Sequence, residues 1–257
     1  MNPLRTTVAR TALALTAVAL FAASRLALAQ PLPSAKELMD KHDAAIGGRA
    51  ALDKHTSVHQ TGAVSIPAMG VEATMDVYRA KPALFLQKLV IGPMGEILQG
   101  FDGKTAWAVQ AGQPVVLEGA QAEMTKYNSD FFGNFHDMAR YKSAETVELA
   151  DFDGRKCYKV RIVRNIGGEG FEFFDAATGL GAGIIVSSES PMGKVETTSV
   201  FAEYKDFDGL KFPTKITQKT PMFESTITIK TMEFDKVAPE TFALPDAVKA
   251  LVKPPAP

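Results

Sequence analysis

The feature that most constrains this chain is a long succession of period-two segments joined by connections too short to hold a crossover helix. Val71, Ala73, Met75 and Val77 alternate with Glu72, Thr74, Asp76 and Tyr78, the mark of a strand with one apolar and one wet face. Lys81-Pro82 ends that run, and residues 85–91, 96–101, 105–109 and 114–118 follow as strands separated by Gly, Pro and Asp. After one interruption the pattern resumes at 146–150 and continues through 156–164, 170–174, 183–188, 194–205, 211–220 and 225–234. Within 156–164, Tyr158, Val160 and Ile162 share one face, and Lys159 and Arg161 the other. Connections this short require antiparallel pairing. Asp102-Gly103, Asp153-Gly154 and Asp208-Gly209, each preceded by Phe, lie between strand runs. Asp-Gly is the strongest short hairpin signal, because a type I′ turn needs positive φ at both central residues. Turn chemistry explains the triplet better than a ligand motif does, and the pattern is a meander without a long-period repeat.

Two segments depart from the strand period. Pro31-Leu32-Pro33 leads into Ser34, an N-cap with Glu37 three residues on, a capping box. A helix with Leu38, Met39 and Ile46 as apolar positions follows, stopped by Gly47-Gly48, and 49–54 can add a short turn. Between the two strand series, Met124, Tyr127, Phe131, Phe135 and Met138 recur at spacings of three and four, which predicts a second helix with one apolar stripe. Phe132 widens the stripe, and Lys126, Asp130, Asp137 and Arg140 lie mostly off it. Gly133 would cost about 1 kcal/mol against Ala in a helix interior, so a kink or close packing is expected there.

The first residues stand outside this pattern. Arg5 and Arg10 form a basic start, 11–24 is apolar but too short to span a bilayer, and Ala27-Leu28-Ala29 is a small-residue cleavage pattern. These features predict a signal peptide over 1–29, a single domain over 30–257 starting at Gln30, and a periplasmic or secreted product. No cysteine lies near the cleavage point, so lipid attachment there is chemically excluded. No later stretch is apolar enough to cross a membrane as a helix, so the product is not expected to be an integral membrane protein. With 46% hydrophobic and 22% charged residues, a disordered, collagen-like or coiled-coil chain is excluded. The single cysteine excludes a disulfide framework and a thiolate zinc site. Losing Arg5, Arg10 and Arg25 leaves 25 of the 28 basic groups against 29 acidic ones, a formal −4, and nothing points to nucleic-acid binding.

The catalytic inventory is thin. The chain has no Gly-x-Ser-x-Gly elbow, no His-Glu-x-x-His and no phosphate loop. Gly179, Gly181 and Gly183 are followed by Ile184-Ile185-Val186, a strand where a dinucleotide site needs a helix N-terminus. His55 and His59 are four apart, a ligand spacing on a helix, but Thr56, Ser57 and Val58 favour extended structure and no local acid joins them. His136, beside Asp137, reads as a polar-edge histidine. Cys157 alternates with Lys159 and Arg161, outside the apolar face, with no activating partner in sequence. Asp151 and Asp153 flank a turn. These readings predict a non-enzyme without metal or cofactor.

What remains is apolar. A one-layer antiparallel sheet of about ten strands tends to curl, and two helices are available to plug its concave face. The result is either an apolar pocket or a fully packed core, and close packing is the default. The pocket reading places Met75, Phe85, Trp107, Tyr158 and Phe173 on the concave sheet, facing Met124, Tyr127, Phe131, Phe135 and Met138.

The order of several weak motifs carries a resemblance. They are the helix ending Ile46-Gly47-Gly48, the hairpin Gly100-Phe101-Asp102-Gly103 with Trp107, and Phe174-Asp175-Ala176-Ala177-Thr178-Gly179-Leu180. Tyr204-Lys205-Asp206-Phe207-Asp208-Gly209-Leu210-Lys211-Phe212-Pro213 and Pro239-Glu240-Thr241-Phe242-Ala243-Leu244-Pro245 complete the series. In this order the chain resembles the LolA/LolB-like superfamily of periplasmic outer-membrane lipoprotein-sorting proteins over nearly all of the segment after Gln30. The resemblance implies an α+β, mostly β fold: an unclosed antiparallel β-barrel wrapped around helices, with a hydrophobic cavity for acyl chains. It further implies a non-enzymatic carrier whose partner is a lipid or the acyl chain of a lipoprotein, with an envelope protein as a further partner. A structural or sensory protein-binding module on the same concave sheet, and an exported hydrolase, are the alternatives.

Overall fold

The computed structural model describes residues 31–190 and 193–252, with the side chains of 188–190, 193 and 194 outside the description. The described residues from Pro33 onward form one compact unit. The signal-peptide reading falls on residues 1–29, outside the described residues.

Among the described residues thirteen strands, not about ten, form one antiparallel sheet, and every run read as a strand is present. They are β1 (Ser57–Ile66), β2 (Val71–Ala80), β3 (Leu84–Val90), β4 (Glu96–Phe101), β5 (Ala106–Gln110), β6 (Gln113–Val116), β7 (Tyr141–Phe152), β8 (Arg155–Arg164), β9 (Glu169–Asp175), β10 (Gly181–Ser190), β11 (Gly193–Phe207), β12 (Leu210–Lys219) and β13 (Glu224–Phe234). Their order is β6-β5-β4-β3-β2-β1-β13-β12-β11-β10-β9-β8-β7. The chain therefore makes two meanders, the first from β1 out to β6, the second from β7 back to β13 against β1. The sheet does not close: β6 and β7 are its two edges.

Helices α1 (Ala35–Ala45) and α2 (Arg49–Asp53) precede the sheet, α3 (Gly119–Ser129) joins the meanders, and α4 (Asp246–Lys249) ends the described chain. The capping box of α1 forms: the Glu37 N–H donates to Ser34 Oγ at 3.3 Å, and the Ser34 N–H to Glu37 Oε2 at 2.7 Å. Two of the Asp-Gly sites are type I′ turns, with φ of 49° and 74° at Asp153-Gly154 and 56° and 82° at Asp208-Gly209. The third differs. Asp102 keeps negative φ and its carboxylate accepts from the N–H groups of Lys104 and Thr105, an Asx turn inside a longer loop.

The concave face holds three apolar clusters. Leu38 and Met39 of α1 pack on Val160, Ile162 and Phe174. Ile46 and Leu52 pack with Phe131, Phe135, Leu210 and Met232. Leu117 and Ala122 cover Met75, Val77, Phe85, Phe101 and Ala106.

The second helix departs from its sequence pattern. It stops at Ser129, so Phe131, Gly133 and Phe135 lie in irregular chain and Met138 opens a 3₁₀ turn. The cause is local: the Ser129 hydroxyl donates to Lys126 O at 2.7 Å, and Asp130 Oδ1 accepts from the Phe132 N–H at 3.0 Å. Side chains that capture nearby backbone in this way compete with the helix. The buried side chains of α3 are Thr125 and Ser129, not an aromatic stripe.

Candidate functional site

A cavity of about 610 Å³ opens on the concave face. Its wall is mixed, which corrects the purely apolar pocket: Phe85, Phe131, Phe135, Phe174, Ile216 and Ile229 alternate with Gln60, Arg79, Gln87, Gln99, Arg164 and Glu172. Pairing register explains the mixture. Gln60, Val77, Gln87 and Gln99 form one rung across β1 to β4, and Val58, Arg79, Phe85 and Phe101 the neighbouring one. Directly opposite residues share a face, so these polar groups point inward with the apolar ones.

The ten residues read as cavity-lining have different fates. Phe85, Tyr127, Phe131 and Phe135 border the cavity, the last two from the loop after α3. Met75 is buried in the cluster beneath Leu117 and Ala122, and Tyr158 packs against the cluster under α1, neither bordering the cavity. Met124 is half-buried against the β8–β9 loop, where its methyl lies near Gly167. Met138 is 40% exposed. Trp107 lies on the opposite face: a Cβ on Gly100 would come within 2.6 Å of its ring, and Gly100 pairs one register away from the inward Phe101. Only glycine leaves room for that indole. Phe173 borders the cavity, but its ring stacks on Phe152 at 4.0 Å with Cys157, Ala182 and Val200, alternating with the inward Glu172 and Phe174. Cys157 belongs to that outer cluster and is fully buried, not on a wet face, because Phe152 and Phe173 cover it. Burial pushes its thiol pKa up.

One end of the cavity is built around His136, which is a network centre and not an edge residue. Its Nδ1 lies 2.7 Å from Asp43 Oδ1 and its Nε2 3.1 Å from Glu172 Oε2, and its backbone N–H donates to Asp43 Oδ2 at 2.9 Å. Arg164 Nη2 donates to the other Glu172 oxygen at 2.9 Å. Burial opposes the imidazolium, but the bonds to Asp43 and Glu172 outweigh it and raise the pKa to about 9. Burial would also raise Glu172, yet His136 and Arg164 hold it below the usual carboxylate range. His42 meets His136 edge-on at 5.3 Å, and desolvation with the neighbouring positive charge lowers it to about 4. Its Nδ1 is buried without a hydrogen-bond partner. His42, Asp43 and His136 bring ligand atoms within 4.8 Å of one another. A metal there would have to displace the proton that joins His136 to Asp43, and both His136 nitrogens are already engaged. The other two histidines are separate: His55 pairs with Asp235 and His59 with Asp76, each at 2.8 Å.

Sequence reasoning missed Arg79 and Glu172, although a signal was present. Continuing the alternation from Val71 through Val77 puts Arg79 on the apolar face, and Glu172 sits between inward Gly170 and Phe174 in the same way. An ion at an inward strand position is a candidate functional group.

The unclosed antiparallel sheet with its helices is a LolA-like fold, and solved structures share it. A LolA superfamily protein from Nitrosomonas europaea matches with a TM-score of 0.57 at 13% identity, covering 83% of this chain and 99% of that one. A DUF1329 family protein from Desulfovibrio piger matches with a TM-score of 0.57 at 10% identity, covering 81% and 97%. A Vibrio parahaemolyticus domain described as outer membrane lipoprotein-sorting matches with a TM-score of 0.53 at 10% identity, covering 84% and 96%. No protein-family model and no curated protein matches the chain. Among the described residues no helix is long and apolar enough to cross a membrane.

Proposed function

We propose that this protein is an exported, non-enzymatic carrier that holds the acyl chain of a lipid, or of a lipid-modified protein, in the concave cavity. The observation that carries the reading is the cavity of about 610 Å³ on the concave face of a LolA-like sheet, within the size range of ligand sites. At about 0.8 kcal/mol per buried methylene, one long chain supplies most of a micromolar affinity before ordering costs are subtracted. Release then needs a partner or a change in cavity closure, since a ligand shifts a conformational equilibrium only through its differential affinity. The basic start, the apolar 11–24 and Ala27-Leu28-Ala29 support export with a mature N-terminus at Gln30.

Lipid extraction and mass spectrometry of protein purified from its native envelope test the reading. A stoichiometric copurifying acyl lipid, on protein whose intact mass begins at Gln30, is the expected result. Lipid-free protein that also fails to bind an acyl probe would overturn it. A second reading, docking of an envelope protein, is favoured by β7, a twelve-residue edge strand with Val147 and Leu149 45% and 49% exposed. Such an edge accepts an added strand, and a stable lipid-free protein complex would support it.

A further inference from the structure

Among the described residues, Arg79 is the one arginine of the cavity wall whose charge no carboxylate answers. The other arginines there are paired: Arg140 with Asp130 at 3.1 Å, Arg164 with Glu172 at 2.9 Å. Among the described residues no carboxylate lies within ion-pair distance of Arg79. Its Nη1 donates to the carbonyl of Asn128 at the end of α3, and its guanidinium sits 4.9 Å above the Phe85 ring. A guanidinium has five N–H donors, so most of this fork is free. Asp130 is the nearby acid, but its two oxygens are held by Arg140 and the Phe132 N–H. Desolvation lowers the Arg79 pKa to about 10, against the pull of Asp130, which leaves it cationic at neutral pH.

The neighbouring rung adds two amides. Gln99 is engaged, donating from Nε2 to Thr125 Oγ1 at 2.9 Å. Gln60 and Gln87 border the same cavity and make no side-chain hydrogen bond among the described residues. Charged residues on the wall are Arg79, Arg140, Arg164, Lys211 and the protonated His136 against Asp130 and Glu172. A chain of formal charge −1 thus carries a cavity biased toward cations. A desolvated cation without a counter-ion is costly, and the fork geometry of arginine matches a carboxylate or a phosphate.

We propose that Arg79, flanked by Gln60 and Gln87, is the head-group site for an amphiphile bearing one anionic group, a carboxylate or a phosphate, whose chain runs along the apolar part of the cavity. The proposal rests on the carrier reading and sharpens it to anionic lipids. Phe85 beneath the guanidinium and Ile229 nearby on the wall give the first methylenes an apolar surface.

The test is calorimetric titration of the full mature protein with three twelve-carbon ligands below their micelle concentrations: laurate, dodecyl phosphate and dodecanol. Laurate, dodecyl phosphate or both should bind at least about tenfold tighter than dodecanol, the strength of a charge-assisted bond. Preference for laurate indicates a free fatty acid and preference for dodecyl phosphate a phospholipid head. Arg79→Gln should collapse the ratio to within about twofold, the loss expected when a charge-assisted contact is removed. Should that variant fail to fold, Arg79→Lys, which keeps charge without the fork, must cut the preference at least about threefold. Equal binding of all three ligands by the wild type, or a preference unchanged in the variants, overturns the head-group site and leaves the carrier reading standing. Failure of all three to bind brings down both.

Discussion

The cavity has two polar walls, and they handle buried charge in opposite ways. At the β8–β9 end, Asp43, His136, Glu172 and Arg164 form a continuous chain in which each charge meets an opposite one within 3.1 Å. At the β1–β3 end, Arg79, Gln60 and Gln87 face the same space with a single side-chain hydrogen bond to protein between them among the described residues. The first wall is finished by the chain itself. It ties α1, the loop after α3 and β9 into one framework. The second wall is unfinished, and its missing partners have to come from solvent or a ligand. Internally paired polar groups mark framework, and unpaired ones mark the surface a ligand completes.

The largest expected effects lie in the framework. Glu172→Leu removes the acid between His136 and Arg164 and leaves two cations facing a buried site, a loss of about 3–5 kcal/mol. Denaturant melting at neutral pH measures it, and a loss under 1 kcal/mol would show that this wall is not held by charge pairing. Phe131→Ala and Phe135→Ala should each cost about 3–5 kcal/mol as core cavities, because both rings are 3% exposed and pack on Ile46, Leu52 and Leu210. Losses well below that would mean that the cavity these rings border, and not the cluster behind them, surrounds most of each side chain.

The framework should also set a pH optimum. His136 has a folded-state pKa near 9 against 6.5 unfolded, so its contribution is fully present below pH 6.5 and is lost as pH rises through 9. His42 is lowered to about 4. The unfolded state then binds the His42 proton first, and stability falls as pH drops from 6.5 toward 4. Each limb is on the order of 3 kcal/mol at full extent. Melting temperature against pH should therefore peak near 6.5. His136→Gln should flatten the alkaline limb and only partly reduce the acid one, because desolvation is the larger cause of the His42 shift, and an unchanged alkaline limb would remove His136 from the network.

Much of this architecture was legible in the sequence, and the gaps have physical causes. Alternation located the strands from β2 to β13 because one apolar and one wet face repeat with period two over most of the sheet. The same rule failed at Cys157 and Phe173, where the outer face is also buried beneath Phe152, a contact that depends on a partner strand. Met124, Tyr127, Phe131, Phe135 and Met138 have helical spacing, yet Ser129 and Asp130 end the helix through their own side-chain bonds. Trp107 lies over Gly100 on the opposite face, a placement fixed by strand register. The His136 network could not be assembled from local sequence, since Asp43 is 93 residues away and Glu172 is 36. Arg79 was readable by extending the alternation of β2 by one step.

The smallest expected effect separates the two walls most sharply. Arg79→Met keeps an unbranched side chain over Phe85 and removes the guanidinium. If Arg79 served the framework, as Glu172 does, its loss would expose a broken pair and cost several kcal/mol. Arg79 has no carboxylate partner to strand, and its one protein bond is to the Asn128 carbonyl. Relief of its desolvation should offset that lost bond, for a net change of less than about 1 kcal/mol toward greater stability. Denaturant melting of ligand-free Arg79→Met, run beside Glu172→Leu, measures the contrast. A loss above about 2 kcal/mol would place Arg79 in the framework with His136 and erase the distinction between the walls. A melting midpoint at or above wild type means that folding does not require the cation, and the reason for a charge in that position lies in what the cavity holds.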